Sequence, residues 1–520
     1  MIGAAVFLLA FAVLVHVRLG TLLTYFQQEE YAPRRFLAAI PRVRLWDLRA
    51  SAVIVALVAL GWLAPGWAPI WALGLAGAAL AGIAALESRY RYKKPLVATE
   101  RARRIRWVAS VLAVPGLVLA ALHPLGGIVL LQALPLVLIA ANAALAPWQR
   151  RINQRFIDKA AARLARLDPV RIGITGSFGK TTVKHILAEL LELSGPVFYS
   201  PGSINTQLGL TRHIRQRLQP AHRYFVAEMG AYGEGSVRRL CDFVQPQYGI
   251  VTAVGAAHIE RFGSFAAVAR AKSELAEAVC RAGGLAVINA ELLAHPPFRA
   301  LKDAHPDHVL SVGEGGDIAV SASLEGSDWH ITLSGAGLEL SYTLPLLGEH
   351  NILNSALAVV LTARIDASVI DRLPLVTRVV EQVPHRLQKR DLPGQPLVLD
   401  DAFNSNEAGF ANALRVLRDV ARARGGRAIL VTPGVVELGL EHDRVHARLG
   451  ALAAECCDEI HAVNPDRISA FVDAARAGGA RVYPAATLGA ARAALRDADE
   501  RDVILYENDL PDILEERRLL

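Results

Sequence analysis

The sequence predicts an α-helical transmembrane region followed by two α/β units, and three observations predict it. The first third is almost continuously apolar but is divided by basic connections. A short apolar strand then passes through a glycine-rich turn into an amphipathic helix at 170–191. Beyond it, apolar strands alternate with helical patterns, as in mainly parallel sheets covered on both faces.

Length alone allows about three domains in 520 residues. The hydrophobic share of 53% exceeds that of ordinary soluble chains, so membrane segments are sought first. Residues 1–23 stay apolar up to His16 and Arg18. No positive charge precedes that run and no clear cleavage site follows it, which reads as a retained anchor rather than a signal peptide. Stretches 51–87 and 107–147 are each too long for one span. Ala64-Pro65-Gly66 and His123-Pro124-Leu125-Gly126-Gly127 break them into helical hairpins, giving five spans.

Charge agrees with that reading. Residues 1–170 hold 20 Lys+Arg against 7 Asp+Glu, whereas the remainder holds 36 against 42. The basic residues gather after the first span (Arg34, Arg35, Arg42, Arg44, Arg49), between the hairpins (Arg89 to Arg106) and after the last span (Arg150, Arg151, Arg155). Neither hairpin tip carries Lys or Arg. Positive-inside placement puts the N-terminus outside and everything after residue 148 in the cytoplasm. The excess thus reflects topology, and no nucleic-acid partner is expected. Near absence of charge within the spans favours an anchor over a pathway. Cys241, Cys280, Cys456 and Cys457 fit neither a metal site nor a disulfide framework and read as reduced thiols.

Residues 149–167 form a basic amphipathic linker suited to a membrane surface. The soluble part then opens with Asp168-Pro-Val-Arg-Ile-Gly-Ile-Thr-Gly-Ser-Phe-Gly-Lys-Thr-Thr182. Val170 to Ile174 supply a strand, Gly176 to Gly179 a turn, and Thr181 to Leu191 a helix. Backbone N–H groups of Gly176, Ser177 and Gly179 at such a helix N-terminus cradle phosphate. Lys180 reaches the terminal phosphates, and Thr181, beside Thr182, ligates Mg2+. The strict eight-residue pattern fails because Ile174 stands where its first glycine belongs.

Thr175-Gly-Ser-Phe-Gly-Lys-Thr-Thr182 resembles the ATP loop of the Mur ligases, and further segments follow in family order. These are Ser200-Pro-Gly-Ser-Ile-Asn-Thr206, Val226-Ala-Glu-Met-Gly-Ala231, Thr252 to Ser264, Ala271-Lys-Ser-Glu274, Leu347 to Asn354 and Leu399-Asp-Asp-Ala-Phe-Asn-Ser-Asn406. The likeness runs from about 168 to 510 and is greatest to the ligases that add D-alanyl-D-alanine. It implies a central P-loop ATPase domain at 168–383 and a C-terminal Rossmann-like α/β domain at 384–520, with the transmembrane region at 1–148. It also implies an ADP-forming ligase of a bacterial inner membrane that joins a carboxylate acceptor to an amine.

Site roles follow from the same resemblance. Thr181 and Glu228 hold one magnesium ion, and His258 helps to hold a second. Lys272 occupies the place of a lysine that several Mur ligases carbamylate into a magnesium ligand, although an ordinary solvated lysine stays open. Asn351 and Asn354 flank the nucleotide base, or cap a helix. Arg386 and Asp401 contact the nucleotide from the C-terminal domain, which closes over ATP. Ser203, Asn205, Asn404, Asn406 and Glu437 lie on the substrate side, with His446 as a weaker match.

Two departures limit the resemblance. Mur ligases normally begin with a soluble domain that grips a UDP-sugar, and here membrane spans stand in its place, which points to a lipid-linked or membrane-proximal acceptor. Where the nearest ligases tend to carry Lys-Gly-Ser-Arg, this chain has Tyr506-Glu-Asn-Asp509. Glu507 and Asp509 suit a cationic or carboxylate-free amine, or are exposed loop residues. A β-rich insertion is expected at 309–346, and C-terminal strands near 397–400, 428–432, 459–463 and 502–506. Envelope-synthesis partners fit the leading reading. A poly-γ-glutamate type synthetase, a non-catalytic ATP-binding scaffold and a phosphohydrolase remain as alternatives.

Overall fold

In the computed structural model of the chain, the described residues are 2–38, 47–63, 68–90, 92, 95–255, 262–325, 328–380, 382–402, 405–436 and 438–508. The described residues divide into two compact units, one within 2–152 and one within 153–508.

The first unit is built from apolar helices α1 (Ile2–Gln28), α2 (Arg49–Leu63), α3 (Ala68–Ser88), α4 (Glu100–Leu122) and α5 (Pro124–Leu167), the last continuing into the second unit. Among the described residues, α1, α3, α4 and α5 are long and apolar enough to cross a membrane. Helix α2, at 15 residues, reaches only about 22 Å against a hydrocarbon core of about 30 Å. The expected five spans are therefore four long helices and one short one. The tip of the first hairpin lies outside the described residues. The second hairpin turns at His123, whose Nδ1 accepts the Leu125 N–H.

The helices pack through Phe7, Phe11, Leu14, Leu22, Ile54, Leu80, Leu131 and Leu138, all nearly inaccessible to water. This interior is not free of charge, contrary to the sequence expectation. Arg18 is fully buried on α1 and lies 3.4 Å from both Asp47 and Glu87. Gln132 of α5 donates to the Asp47 carbonyl and to Ser51. Residues 29 and 69 positions away in sequence supply these carboxylates, so helical periodicity could not pair them.

The structure shows how residues 149–167 pack. They are the end of α5, and their apolar side faces protein rather than lipid. Ala160 and Leu164 are buried in a cluster with Leu210, Ile214 and Leu218. Arg163 donates to the Leu218 carbonyl.

Two parallel sheets follow. The first holds β1 (Val170–Thr175), β2 (Val197–Tyr199), β3 (Tyr224–Glu228), β4 (Tyr248–Val251), β5 (Leu285–Asn289) and β6 (Val309–Val312) in the order β2-β3-β1-β4-β5-β6. Its helices are α6 (Lys180–Leu191), α7 (Gln207–Arg217), α8 (Ser236–Val244), α9 (Phe265–Arg281) and α10 (His350–Ile365). They cover both faces, which is why β1 and β3 read as nearly continuous apolar runs. Strands β7 (Ala319–Glu325), β8 (Asp328–Gly335) and β9 (Leu338–Leu344) form a separate antiparallel sheet. The expected insertion thus begins later than residue 309, because β6 pairs with β5 at the edge of the main sheet.

The second sheet contains β10 (Gln388–Arg390), β11 (Leu397–Asp401), β12 (Ala428–Thr432), β13 (Glu459–Val463), β14 (Arg481–Ala485) and β15 (Val503–Glu507), ordered β10-β11-β15-β12-β13-β14. Only β10 is antiparallel to its neighbour. Strand β15 returns between β11 and β12 and runs parallel to both, so the carboxyl ends of β11 and β15 lie side by side. Helices α11 (Glu407–Arg424), α12 (His442–Cys456) and α13 (Ser469–Ala477) pack one face, and α14 (Leu488–Ala494) packs the other. The four cysteines are free and buried.

Candidate active site

Strand β1 ends at Thr175, and the chain turns sharply before α6. Gly176 has φ +155° and Gly179 φ +80°, the latter in the left-handed region. A Cβ on Gly179 would lie 2.5 Å from Asn354 Oδ1, and one on Gly176 would lie 1.9 Å from Thr252 Oγ1. The segment that follows β4 braces the loop. Ser177 N–H donates to the Ala253 carbonyl at 2.8 Å, Gly255 N–H donates to Ser177 Oγ at 2.9 Å, and Thr252 Oγ1 donates to the Phe178 carbonyl.

Lys180 folds back over this loop and donates to the carbonyls of Gly176 and Ser177 at 2.6 and 3.2 Å. Burial pulls its ammonium down to about 8, against the opposing pull of Glu228. Thr181, the second residue of the helix, donates from Oγ1 to Glu228 Oε2 at 3.0 Å. Glu228, at the end of β3, is 1% exposed. Asn205 Nδ2 donates to its other oxygen at 3.1 Å, and Tyr232 OH donates to Asn205 Oδ1. Ser203 Oγ stands 3.4 Å from Thr181 Oγ1. Burial alone would raise the Glu228 carboxyl, but Lys184 and Lys180 outweigh it and hold the group below its usual range.

Lys184 is a participant that sequence reasoning missed. It is fully buried one helical turn after Lys180, donates to Glu228 Oε2 at 3.1 Å, and donates to the Gly202 carbonyl. One ammonium thereby joins α6, the end of β3 and the 200–206 loop. The available signal was its place on the apolar stripe with Leu187 and Leu191.

Lys272 is buried on α9 and donates to the Gly176 carbonyl at 3.0 Å. Burial, reinforced by Lys180, pushes its pKa well below that of a free lysine. It is therefore not a solvated surface lysine. Asn351 and Asn354 lie inside α10 rather than at its cap. Asn354 Nδ2 donates to Asn351 Oδ1 at 3.2 Å, and Asn351 donates to the Leu347 carbonyl.

The C-terminal sheet brings a second polar group to the same place. Arg386 sits close enough to Glu228, Asp401 and Glu507 to feel all three charges. Its neighbours His385 and Leu387 have φ of +59° and +52°, a strained backbone. Leu387 N–H donating to Asp401 and His385 pairing with Asp400 secure it. Asp401 and Glu507 end adjacent strands in matching register. Burial raises the Asp401 carboxyl to about 6. Burial, then the Asp401 charge, raises Glu507 further. Ser405 Oγ donates to Glu507 Oε1 at 2.5 Å, while Oε2 has no hydrogen-bond partner among the described residues. Glu507 is thus a buried member of a carboxyl pair, not an exposed loop acid.

Other expected residues fall elsewhere. Asn406 caps α11 by accepting the Gly409 N–H. His446 is fully buried, accepting the Val435 N–H at Nε2 and facing the His442 carbonyl at Nδ1, as a structural histidine does. Thr182 follows Thr181 in the first turn of α6. His258, Asn404, Glu437 and Asp509 lie outside the described residues.

The donor set is compatible with a hard divalent ion. A hydroxyl and a carboxylate oxygen converge beside a phosphate loop, and magnesium characteristically takes one or two protein oxygens with the remainder from phosphate and water. No cluster of three or more His, Cys, Asp and Glu is found among the described residues.

Comparison with known proteins adds an independent finding. Residues 174–362 match the Mur ligase middle domain, and residues 385–506 match the Mur ligase glutamate ligase domain. The chain is 30% identical over 301 residues to the UDP-N-acetylmuramoyl-tripeptide–D-alanyl-D-alanine ligase of Escherichia coli (strain K12), covering 56% of this chain and 64% of that one. The enzyme of the same name from Mycobacterium tuberculosis (strain ATCC 25618 / H37Rv) is 32% identical over 298 residues, with 56% and 58% covered. The chain therefore spans less than two thirds of either relative. A crystal structure of MurF from Acinetobacter baumannii shares the fold with a TM-score of 0.59 and 25% identity, covering 68% of this chain and 77% of that one. The Thermotoga maritima MurF ligase in complex with ADP aligns with a TM-score of 0.57 at 22% identity, covering 69% and 80%.

Proposed function

The chain belongs to the Mur ligase family, and from that premise we propose that it is a membrane-anchored, ATP-dependent carboxylate–amine ligase of the bacterial cell envelope. The observation that carries this reading is the meeting of Thr181 and Glu228 under the glycine loop, ringed by Lys180, Lys184, Lys272 and Arg386.

An acceptor carboxylate oxygen bonds to the γ-phosphorus of ATP as the bond to ADP breaks. The amine nitrogen then bonds to the acyl carbon, phosphate departs with the C–O electron pair, and the amine releases a proton. Negative charge gathers in both steps, and preorganised cations stabilise it most effectively in a dry site. Lys180 and Arg386, near enough for their charges to interact, supply that charge. Thr181 and Glu228 would hold magnesium, which neutralises the phosphates. Lys272, whose buried amine has its pKa lowered by desolvation, is suited to carbamylation. Asn351 and Asn354 face the nucleotide side of the loop, and Asp401 contacts the nucleotide from the C-terminal domain. Ser203 and Asn205 lie toward the acceptor, and Glu507 toward the amine.

Residues 1–148, with four long apolar helices, replace the domain that would grip a soluble UDP-sugar. A lipid-linked or membrane-proximal acceptor follows, with residues 168–383 and 384–520 as the catalytic domains on the cytoplasmic side. The test is ADP release by the full chain in nanodiscs, with lipid-linked and UDP-linked acceptors, a panel of amines, and Lys180→Ala as the blank. Amine-stimulated ADP release with a matching mass gain on a lipid-linked acceptor is expected. ATP hydrolysis indifferent to every amine would sink the ligase; preference for the UDP-linked acceptor would sink the membrane-proximal assignment.

A further inference from the structure

The ends of α5 and α7 turn their apolar sides inward, through Ala160 and Leu164 on one and Leu210 and Ile214 on the other. What remains outside is basic. Arg155, Lys159 and Arg166 are exposed on α5, and Arg212, Arg215 and Arg217 on α7. The two sets form one surface, since the Arg215 guanidinium lies 4.1 Å over the Phe156 ring and Arg163 donates to the carbonyl that ends α7. Asp158, on the same stretch of α5, is engaged by Gln154. Burial and then the crowding of Arg217 and Arg212 lower the pKa of His213.

Beside this surface is an open cleft of about 430 Å³, lined in part by Tyr199, Pro201, Gln216, Arg217, Gln219 and His222. His222 Nδ1 accepts the Gln219 N–H, which in the neutral ring leaves the hydrogen on Nε2 as a donor. Pro201 belongs to the loop that carries Gly202, Ser203 and Asn205, the residues that touch Lys184, Thr181 and Glu228.

We propose that this basic surface docks on an anionic bilayer leaflet, with the cleft receiving a lipid phosphate headgroup. The inference rests on residues 1–148 being membrane-embedded. Phe156 follows Pro147 of the apolar stretch by nine residues, at most about 30 Å of chain even fully extended, so the surface is tethered close to a leaflet. Leu208 is 44% exposed and shares the stripe of Arg212 and Arg215 at helical spacing, which suits the boundary between headgroups and acyl chains. Each arginine near an anionic leaflet favours the docked state about fivefold, so three together favour it about a hundredfold. Docking holds the 200–206 loop at the bilayer surface, where a lipid-linked acceptor presents its head.

The experiment uses the full chain in nanodiscs, with a nitroxide on Leu208→Cys and a nickel-chelating lipid as the relaxing agent. The native cysteines are buried, so the label reports one position. Strong broadening is expected with phosphatidylglycerol, and little in zwitterionic discs or at high salt. The triple variant Arg212→Gln, Arg215→Gln, Arg217→Gln should abolish it while leaving thermal unfolding unchanged. The salt titration of the labelled parent tests the same point without the triple variant. Absence of broadening in anionic discs would overturn the proposal, as would broadening indifferent to lipid charge and salt. Failure to enter nanodiscs would instead reject membrane embedding itself.

Discussion

Lys184 and Glu228 offer the most quantitative test of how the site is assembled. At their 3.1 Å separation, two unit charges attract by about 5 kcal/mol at an effective dielectric constant of 20. Replacing Lys184 with methionine removes that attraction while keeping the shape of the stem. Thr181 and Asn205 still donate to the carboxylate, so the net loss should be about 3 kcal/mol, typical of a buried charge left without its partner. Glu228→Gln should cost a similar amount by stranding the lysine. If the two act on each other, the double variant is less damaged than the sum by at least about 2 kcal/mol. Thermal unfolding of the full chain without magnesium or nucleotide reads this, with Lys184→Met expected to lower the midpoint by on the order of 6 °C. Additive losses in the double variant, or a Lys184→Met variant as stable as the parent, would refute the claim that this pair holds α6, β3 and the 200–206 loop together.

Other perturbations test separate parts of the site. Gly179→Ala places a Cβ 2.5 Å from Asn354 Oδ1 at a φ of +80°. It should reduce ATP binding at least tenfold by titration calorimetry, and affinity equal to the parent would contradict the loop geometry. The raised pKa of Asp401, about 6, means the folded state holds a proton that the unfolded chain has released. Its contribution is therefore complete below the unfolded value and is lost as pH rises through about 6. Asp401→Asn should flatten that decline between about pH 4 and 6 in thermal unfolding, and an unchanged slope would reject a buried carboxyl that stays protonated in the folded state. Lys272→Arg cannot carbamylate and should lose more than a hundredfold in ADP release, whereas Lys272→Ala should regain part of its activity with added short carboxylates. Full activity of the arginine variant would dismiss the carbamate.

Much of this architecture could be read from local pattern. Strands β11, β12, β13 and β15 coincide with apolar runs, and α6 begins one residue before the position expected from its loop. Strand β14 escaped notice because it contains Pro484 and begins at an arginine, both tolerated at the sheet edge it occupies. Strand β10, Gln-Lys-Arg, has no apolar signal at all. The site divides in the same way. Thr181 and Lys180 are legible from one contiguous motif, whereas the Asp401–Glu507 pair depends on β15 returning beside β11 across more than a hundred residues. Lys184 goes unmarked by any motif, and its role emerges only where β3 and the 200–206 loop close over it. The apolar side of the end of α5 looked lipid-facing because an amphipathic pattern cannot reveal which apolar surface it covers, here Leu210, Ile214 and Leu218.

The buried meeting of Arg18 with Asp47 and Glu87 has a consequence for biogenesis. At a synthesis rate of about 5–20 residues per second, Arg18 leaves the ribosome roughly 3–14 seconds before Glu87, 69 residues later. During that interval the first helix carries an unmatched guanidinium, which hydrocarbon penalises heavily. Stable seating of α1 therefore awaits α2 and α3, and a full chain carrying Asp47→Asn with Glu87→Gln should hold its first helix less firmly against extraction.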